Sequence, residues 1–282
     1  MKFSLIMATY GRDKEIENFL NSLKNQTYKN FELIVIDQNE DDKALKIIKN
    51  FENEIEIKYF RVNFRGLSKA RNFGLNYATG DIIAFPDDDC EYPKNLLFEV
   101  KKFFEDGDFD ILSVLVIDKL SKKESLNRWI SKSSHINSLN ILRAITSPGL
   151  FIKISNINIK DIYFDEKFGV GSIYPSAEET DLVFRLIKED NAKGYFNRNL
   201  FVYHPIKEVN LNRFYPYGIG MGAFLRKHIN KDFSLLFLVL ENLVIRPIGG
   251  ILLNILKLNK FGIKKNFYNF IGRWKGFLSY KP

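Results

Sequence analysis

Three consecutive carboxylates, Asp87, Asp88 and Asp89, are the residues whose types and spacing most directly indicate chemistry. They follow the apolar residues 81–85, whose length and composition are typical of a buried strand. Carboxylates at the end of a buried strand repel one another and resist desolvation, and a divalent cation bound by oxygen ligands would relieve that conflict. The sequence therefore indicates a metal site, with a solvated acidic loop that caps the next helix as the alternative.

Two further predicted strands also end on polar residues. Thr9 lies near the end of an apolar strand at residues 3–10 and Arg12 follows that strand, while Asp37 ends a second apolar strand at residues 31–37. In an open α/β sheet, ligands bind beyond the carboxyl ends of the strands. Any one of these residues could simply cap the helix that follows it. Their joint occurrence at strand ends favours a binding edge.

A second group of carboxylates, Glu178, Glu179 and Asp181, begins a predicted helix. Acidic side chains in a first turn complement the helix dipole, so the pattern alone favours a structural role. His204 comes directly after a predicted strand at residues 195–203. A single histidine is usually structural, and we assign His135 and His228 that role.

The elements that must position these residues alternate between strand and helix. Apolar strands are predicted at 3–10, 31–37, 55–62, 81–85, 110–118, 147–152 and 195–203. The strands are continuously apolar, and helical apolar spacing separates them, which is typical of a parallel sheet covered on both faces. Residues 119–145 are polar and irregular, as in an insertion or a loop over a site.

Composition limits the class of protein. The 282 residues are 45% hydrophobic and 27% charged, as in a folded protein, and the single cysteine, Cys90, fits a reducing compartment. No signal segment is expected at the amino terminus. An EF-hand beginning at Asp87 is excluded because Tyr92 and Phe98 occupy its glycine and glutamate positions, and no P-loop pattern occurs.

The net charge of +8 lies entirely in the last part of the chain. Eight cations and no anion follow Glu241, whereas the preceding residues carry equal numbers of basic and acidic groups. This distribution argues against nucleic-acid binding by the body of the protein. Residues 233–258 are strongly apolar but interrupted by Glu241, Arg246 and Pro247, which predicts two short helices rather than one spanning helix.

With the basic, aromatic tail, these helices are predicted to lie on an anionic membrane surface. The alternative is a pair of helices that pack on the catalytic domain or on a second copy of the chain. A Gly-x-Gly-x-Gly stretch at residues 218–222 permits close backbone approach. It could be a structural joint or border an acceptor site.

The ordered motifs resemble the GT-A glycosyltransferases of family 2. The resemblance rests on 8–10 (Ala-Thr-Tyr), 35–37 (Val-Ile-Asp), 66–74 (Gly-Leu-Ser-Lys-Ala-Arg-Asn-Phe-Gly) and 85–89 (Phe-Pro-Asp-Asp-Asp), and it covers roughly the first two thirds of the chain. It implies an α/β GT-A fold and a sugar donor activated as a nucleotide diphosphate. It also implies a divalent cation at an Asp-x-Asp motif, Mn²⁺ or Mg²⁺, and inversion at the anomeric carbon.

The resemblance also assigns residues. It implies metal binding by Asp89, Asp87 and His204, and a general base at Glu179, with Glu178 and Asp181 as alternatives. Nucleotide-sugar binding is implied for Ala8, Thr9, Tyr10, Arg12, Asp37, Gln38, Lys69, Arg71, Asp87 and Asp88. Gln38 departs from the family, which often has a second acid at that position, so the identity of the base stays open.

The sequence thus predicts a glycosyltransferase of the hexosyltransferase type in surface polysaccharide synthesis, peripheral on the cytoplasmic face of the cell membrane. Its partners would be a UDP-sugar, a glycan or lipid-linked glycan acceptor and the anionic membrane surface. A second copy of the chain is a further candidate partner. Residues 1–210 would form the catalytic domain, with donor binding at 1–118 and acceptor binding at 119–210, and 211–282 a basic helical region. Alternatives are a sugar-nucleotide pyrophosphorylase and a catalytically silent membrane scaffold that binds sugar nucleotides.

Overall fold

The computed structural model describes residues 1–126, 129–206 and 210–281. The strands are β1 Phe3–Thr9, β2 Phe31–Asp37, β3 Glu56–Arg61, β4 Ile82–Ala84, β5 Ile111–Ile117, β6 Ser134–His135, β7 Leu150–Lys153 and β8 Gly194–Tyr203. The α-helices are α1 Lys14–Lys24, α2 Lys43–Lys49, α3 Leu67–Leu75, α4 Leu96–Asp106, α5 Glu178–Glu189, α6 Phe214–His228, α7 Ser234–Leu240, α8 Arg246–Leu256 and α9 Lys260–Ser279.

A single sheet organises the first of two compact units, which comprises residues 1–164 and 182–206. Its strand order is β3-β2-β1-β4-β7-β5-β8-β6. The pairs β1–β2, β1–β4, β2–β3 and β5–β8 are parallel, so the predicted mostly parallel α/β sheet is confirmed. β7 is antiparallel to both of its neighbours, and β6 is antiparallel to β8.

Burial explains why the first two strands form and stay central. All seven residues of β1 and all seven of β2 are buried, as their continuous apolar runs require. The apolar side of α1, formed by Ile16, Phe19, Leu20 and Leu23, joins their core. The parallel register places Thr9 opposite Asp37, so two of the predicted polar strand ends lie side by side.

The second compact unit comprises residues 165–181 and the described residues from 210 onward. The predicted catalytic domain, 1–210, includes residues 165–181. The contacts in the structure group them with the C-terminal residues. The glycine-rich stretch at 218–222 belongs to α6, which packs on α9. A Cβ atom at Gly222 would overlap the Arg273 carbonyl oxygen, and one at Gly276 would overlap that of Ile219. These glycines therefore let two helix backbones approach closely, which is a structural role.

The structure of residues 233–258 differs from the two short helices that the sequence predicts. Instead of two separated short helices, Ser234–Leu256 forms one continuous helical run of 23 residues with a π-helical turn at Glu241–Ile245. Pro247, which was expected to break the run, lies just beyond this turn, where the regular hydrogen-bond pattern is already shifted. The two interrupting charges pair with each other, since Arg246 Nη2 lies 2.8 Å from Glu241 Oε1.

Candidate active site

Asp87, Asp89 and His204 converge at the carboxyl ends of the strands. One ligand atom from each lies within 4.8 Å of the others. A β-bridge pairs Asp87 with Ala8, and the His204 amide donates to the Ile117 carbonyl oxygen at 2.9 Å. The side chains of Asp89 and His204 are 2% and 1% exposed, whereas that of Asp87 is 29% exposed. The cluster thus has a buried floor and one accessible carboxylate.

The hydrogen bonding of His204 defines its tautomer. Its Nδ1 lies 2.9 Å from the Pro205 carbonyl oxygen, which can only accept, so Nδ1 carries the proton. Nε2 is buried and makes no hydrogen bond, although it lies 2.9 Å from Asp89 Oδ1. An imidazole nitrogen and a carboxylate oxygen thus lie close together without a hydrogen bond between them. Both are common metal ligands, and a divalent cation bound by both would satisfy the buried nitrogen, so the residues fit a metal site.

Asp88 is held by two of the other predicted residues. Thr9 Oγ1 donates to Asp88 Oδ2 at 2.8 Å, and Arg12 Nε lies 3.8 Å from Asp88 Oδ1. Burial raises the pKa of Asp88 to about 6, and the neighbouring Asp89 carboxylate adds to the rise. The hydrogen bond from Thr9 acts in the opposite direction and lowers the pKa. Arg12 also lies 2.9 Å from Asp89 Oδ2, so its guanidinium offsets the charge of both acids.

Arg71 approaches the same cluster from α3. This helix begins after Gly66, whose φ of 124° is a conformation that favours glycine. The Arg71 side chain is 1% exposed, and its Nη2 lies 3.0 Å from Asp87 Oδ1. Its guanidinium carbon also lies 5.3 Å from the centre of the Phe164 ring. The buried guanidinium of Arg71 thus holds the carboxylate of Asp87, a predicted metal ligand, in place.

Asp37 lies at the end of β2 with its carboxylate fully buried. Oδ2 accepts from the Tyr59 hydroxyl at 2.6 Å, and Oδ1 accepts from both the backbone and the side-chain nitrogen of Asn39 at 2.8 Å. Burial and the hydrogen bond to Asp37 raise the pKa of Tyr59 to about 12. Asn39 Oδ1 accepts from the Gly11 amide at 2.7 Å, which links the loops after β1 and β2.

The remaining predicted donor residues differ in exposure. Ala8 and Gln38 are buried, and the Gln38 amide donates to the Thr9 carbonyl oxygen at 3.0 Å. Tyr10 is 58% exposed, with the Arg65 guanidinium 3.8 Å above its ring. Lys69 is exposed, and its ammonium lies 4.6 Å from the centre of the Phe64 ring rather than on an acid. The structure therefore gathers Thr9, Arg12 and Arg71 at the acids, and not Lys69.

The second group of acids lies in the second compact unit, at the start of α5. Ala177, the residue before this helix, has a φ of 69°, an uncommon conformation for alanine. Such strained backbone is concentrated at functional sites. Glu178 is 6% exposed, and Glu179 is half-buried. Glu179 is therefore the more accessible carboxylate of this adjacent pair.

Asp181 is committed to a buried ionic cluster of the second unit. Its Oδ1 lies 2.7 Å from Lys227 Nζ and 2.7 Å from His228 Nε2. Lys227 also lies 2.8 Å from Asp165. Burial lowers the pKa of His228, although Asp181 acts in the opposite direction. The Asp181 carboxylate thus balances the charge of the half-buried Lys227, which favours a structural role over proton transfer.

The sequence model for glycosyl transferase family 2 matches residues 4–233. The chain belongs to glycosyl transferase family 2. The match contains both groups of acids and confirms the family indicated by the motifs.

Two curated relatives illustrate the similarity to other family 2 proteins. The chain is 28% identical over 204 residues to the poly(ribitol-phosphate) beta-N-acetylglucosaminyltransferase TarS of Staphylococcus aureus, which covers 71% of the chain and 33% of TarS. It is also 28% identical over 172 residues to the GalNAc(5)-diNAcBac-PP-undecaprenol beta-1,3-glucosyltransferase of Campylobacter jejuni, covering 59% of the chain and 56% of that protein. The chain thus spans between a third and just over half of these relatives.

Two solved structures show that this family 2 chain has the predicted GT-A fold. TarS residues 1–349 of S. aureus, solved with UDP, superposes with a TM-score of 0.66 at 21% identity, covering 99% of this chain and 91% of that one. The mannosyltransferase PcManGT of Pyrobaculum calidifontis, solved with GDP-Man and Mn²⁺, gives 0.72 at 13% identity, covering 98% and 86%.

Sequence reasoning missed Tyr59 and Asn39, which hold Asp37 in this family 2 chain. Asn39 had a usable signal, because an Asp-x-Asn segment after a strand is typical of a turn closed by side chain to backbone hydrogen bonds. Tyr59 had none, since its contact depends on the pairing of β2 with β3.

Proposed function

We propose that the chain is an inverting, metal-dependent glycosyltransferase that moves a sugar from a nucleotide-diphosphate sugar to a glycan or lipid-linked acceptor. The observation that carries the proposal is the convergence of Asp87, Asp89 and His204, in which the buried His204 Nε2 lies 2.9 Å from Asp89 Oδ1 without a hydrogen bond. A divalent cation held by the two carboxylates and the imidazole nitrogen would satisfy this buried polar atom. Membership of family 2 supports the reaction class.

On the donor side, each residue has a distinct task. Thr9 and Asp37 end adjacent strands and would contact the nucleoside, while Arg12 and Arg71 place guanidinium groups beside the acids for the diphosphate. Asp87, Asp89 and His204 would hold Mn²⁺ or Mg²⁺, which neutralises the charge that the leaving diphosphate gains. A UDP-sugar is the proposed donor because TarS was solved with UDP and with UDP-GlcNAc.

On the acceptor side, Glu179 would accept the proton of the attacking hydroxyl group. The acceptor oxygen forms a bond to C1 of the donor sugar as the bond from C1 to the diphosphate oxygen breaks. The bonding electron pair leaves with the diphosphate, and the configuration at C1 inverts. The strained Ala177 before Glu178 and Glu179 supports this assignment over Asp181, whose carboxylate is engaged by Lys227 and His228.

The acceptor class is proposed from the relatives. TarS is named for a poly(ribitol-phosphate) acceptor and the C. jejuni enzyme for an undecaprenyl-diphosphate-linked glycan. Both names specify an acceptor that carries phosphate or diphosphate groups. We therefore propose an acceptor of this kind in surface polysaccharide synthesis.

Metal binding is tested with Mn²⁺ and UDP by titration calorimetry. His204→Ala and Asp89→Asn should each weaken Mn²⁺-dependent UDP binding by at least about tenfold, because each removes one ligand. The matched control is His135→Ala, which removes an exposed histidine from β6. UDP binding that is equally strong without metal, or unaffected by either variant, would refute the metal assignment.

Proton transfer is tested with Glu179→Gln in a transfer assay over a panel of UDP- and GDP-sugars. Loss of a general base should lower kcat by about 10²–10⁴-fold and leave donor KM nearly unchanged. Glu17→Gln on the surface of α1 is the control. Full transfer by Glu179→Gln would overturn the base assignment. Sugar-nucleotide formation from a nucleoside triphosphate and a sugar phosphate would identify a pyrophosphorylase instead.

A further inference from the structure

The helical run Ser234–Leu256 has one packed side and one bare side. Leu235, Leu238 and Leu243 are at most 2% exposed and form the packed side. On the rest of the run, and at Phe233 just before it, apolar side chains are 41–86% exposed: Phe233, Leu236, Phe237, Leu240, Ile245, Ile248, Leu252, Leu253, Ile255 and Leu256. We call this set the apolar stripe. So many exposed apolar side chains within one helical segment of a folded protein mark an interaction site.

The polar groups of the run are satisfied within the second compact unit. Glu241 pairs with Arg246, Asn242 Nδ2 donates to the Leu238 carbonyl oxygen, and Asn254 Nδ2 donates to that of Gly250. Two carbonyl groups of the π-helical turn are also used. Those of Asn242 and Leu243 accept from Arg273 Nη1 at 2.7 Å and Trp274 Nε1 at 3.1 Å. These groups can therefore leave water without losing hydrogen bonds.

The connection between α8 and α9 combines apolar and cationic side chains. Leu256 and Leu258 are 82% and 88% exposed, and Lys257 and Lys260 alternate with them. We call residues 256–261 the hairpin tip. The eight cations after Glu241, without any anion, make this part of the chain complementary to a negatively charged surface. Exposed apolar side chains flanked by lysines are typical of membrane-surface helices.

By length and composition, the run is long and apolar enough to cross a membrane. Its most apolar 18-residue stretch has a mean hydropathy of 1.9, and 28% of that stretch is buried within the protein. The π-helical turn and α8, however, contact α9, which carries Lys260, Lys264, Lys265, Arg273 and Lys275. A helix with these five cations is costly to place in the hydrocarbon core. A run bound along one side by such a helix fits the interface better than the bilayer interior.

We propose that the apolar stripe and the hairpin tip dock the protein onto the anionic surface of a lipid bilayer without crossing it. The apolar side chains enter the boundary between headgroups and acyl chains, and the lysines of the tip contact lipid phosphates. The cytoplasmic leaflet, which carries anionic lipids, is the matching surface. This attachment does not require the proposed sugar transfer, so each can fail without the other.

Vesicle binding by the purified full chain tests the proposal. The chain should co-sediment with vesicles of phosphatidylglycerol and phosphatidylcholine, and at least about tenfold less with phosphatidylcholine alone. Leu256→Gln with Leu258→Gln should lower partitioning by at least about tenfold, because two exposed leucines no longer insert. Leu120→Gln, at a side chain 92% exposed in the first unit, is the matched control.

The cationic part is tested separately. Lys257→Gln with Lys260→Gln should weaken binding to the anionic vesicles about tenfold or more and reduce its salt dependence. Lys46→Gln with Lys49→Gln removes the same charge from the exposed side of α2 and should have little effect. Circular dichroism of each variant checks that the helices are intact.

Three outcomes would overturn the proposal. Equal vesicle binding by the tip variants and their controls would remove the tip from any docking surface. A dimer in analytical ultracentrifugation that the leucine variant dissociates, with no vesicle binding, would make the stripe an interface between two copies. Retention in cell membranes after extraction with alkaline carbonate, by a chain that does not bind preformed vesicles, would indicate a spanning helix.

Discussion

His204 shows what a residue-scale argument adds to a motif. Its position after a strand could be found in the sequence, and so could the acidic cluster that it meets. The hydrogen bond from Nδ1 to the Pro205 carbonyl oxygen could not, because it depends on the folded backbone. This hydrogen bond orients the imidazole ring, and Nε2, which makes no hydrogen bond, is the nitrogen that would bind a metal.

Tyr59 holds one carboxylate oxygen of Asp37, a residue of the proposed donor site. Its hydroxyl donates to Asp37 Oδ2, while Asn39 holds the other oxygen. Tyr59→Phe should raise donor KM about two- to tenfold and leave kcat nearly unchanged, because it frees one oxygen of a ground-state binding residue. Steady-state kinetics with varied donor measure this.

The matched control for that variant is Tyr28→Phe, which removes a hydroxyl that donates to the Met1 carbonyl oxygen. An unchanged KM for Tyr59→Phe, or an equal rise in both variants, would show that Asp37 does not depend on Tyr59 for donor binding.

At the scale of elements, β2 contains a buried carboxylate far along the strand from Asp37. Glu32 accepts from Ser4, Thr79 and Lys58. Burial alone would raise the pKa of Glu32, but these hydrogen bonds lower it from about 4.5 to about 2. The Glu32 carboxylate thus connects β2 to β1, to β3 and to the segment after α3.

This link predicts a pH-dependent contribution to the free energy of unfolding. A carboxyl group with a lowered pKa stabilises the fold above its unfolded pKa and loses that effect as pH falls through its folded pKa. Glu32→Gln should therefore destabilise the protein on the order of 2 kcal/mol at pH 7. The difference from wild type should shrink below about pH 4.5 and vanish near pH 2. Urea denaturation across this pH range measures it.

Glu52→Gln, an exposed change in the turn before β3, is the control for loss of a carboxylate as such. A difference between wild type and Glu32→Gln that stays constant from pH 7 to pH 3 would contradict the linkage and indicate lost packing instead.

The elements of the first unit were largely predictable because apolar runs separated by helical spacing specify a parallel sheet. The strands at 3–10, 31–37 and 195–203 are observed within one residue of those limits. The antiparallel insertion of β7 between β4 and β5 was not predictable, since four residues carry no signal of their direction. The continuous run at Ser234–Leu256 was also missed, because its charges are neutralised by each other and its proline follows the π-helical turn.

At the scale of the whole molecule, two compact units divide the proposed tasks. The first carries the candidate metal cluster and donor residues, and the second carries Glu178, Glu179 and the helices of the proposed membrane surface. The sequence placed all of these residues in candidate sites, but it could not show that residues 165–181 pack with the C-terminal helices. That assignment depends on contacts distant along the chain, such as Ser176 Oγ donating to the Tyr217 carbonyl oxygen at 2.8 Å.

The close packing of α6 on α9 predicts how the second unit responds to small substitutions. Gly222→Ala and Gly276→Ala should each destabilise this unit by about 1–3 kcal/mol or more, because the added methyl group overlaps backbone of the other helix. Gly249→Ala meets nothing within 4 Å and should be neutral or slightly stabilising. Thermal denaturation followed by helical circular dichroism compares the three.

Equal stability of Gly222→Ala and Gly249→Ala would show that α6 and α9 do not pack as closely as described. The same variants also separate folding from attachment, since Gly249→Ala leaves the apolar stripe unchanged and should bind vesicles as the wild-type chain does.

The π-helical turn at Glu241–Ile245 also governs which mutations this region can accept. A π turn holds one residue more than an α turn, and each residue of an α-helix advances the side chains by about 100° around the axis. Deleting a single residue there would restore regular α-helical winding and keep Ile248 and Leu252 at their present angle to Phe237 and Leu240. The same deletion in α7 or α8 would instead rotate all later side chains by about 100°. A one-codon deletion should thus do less harm in the π-helical turn than in the regular helix on either side of it.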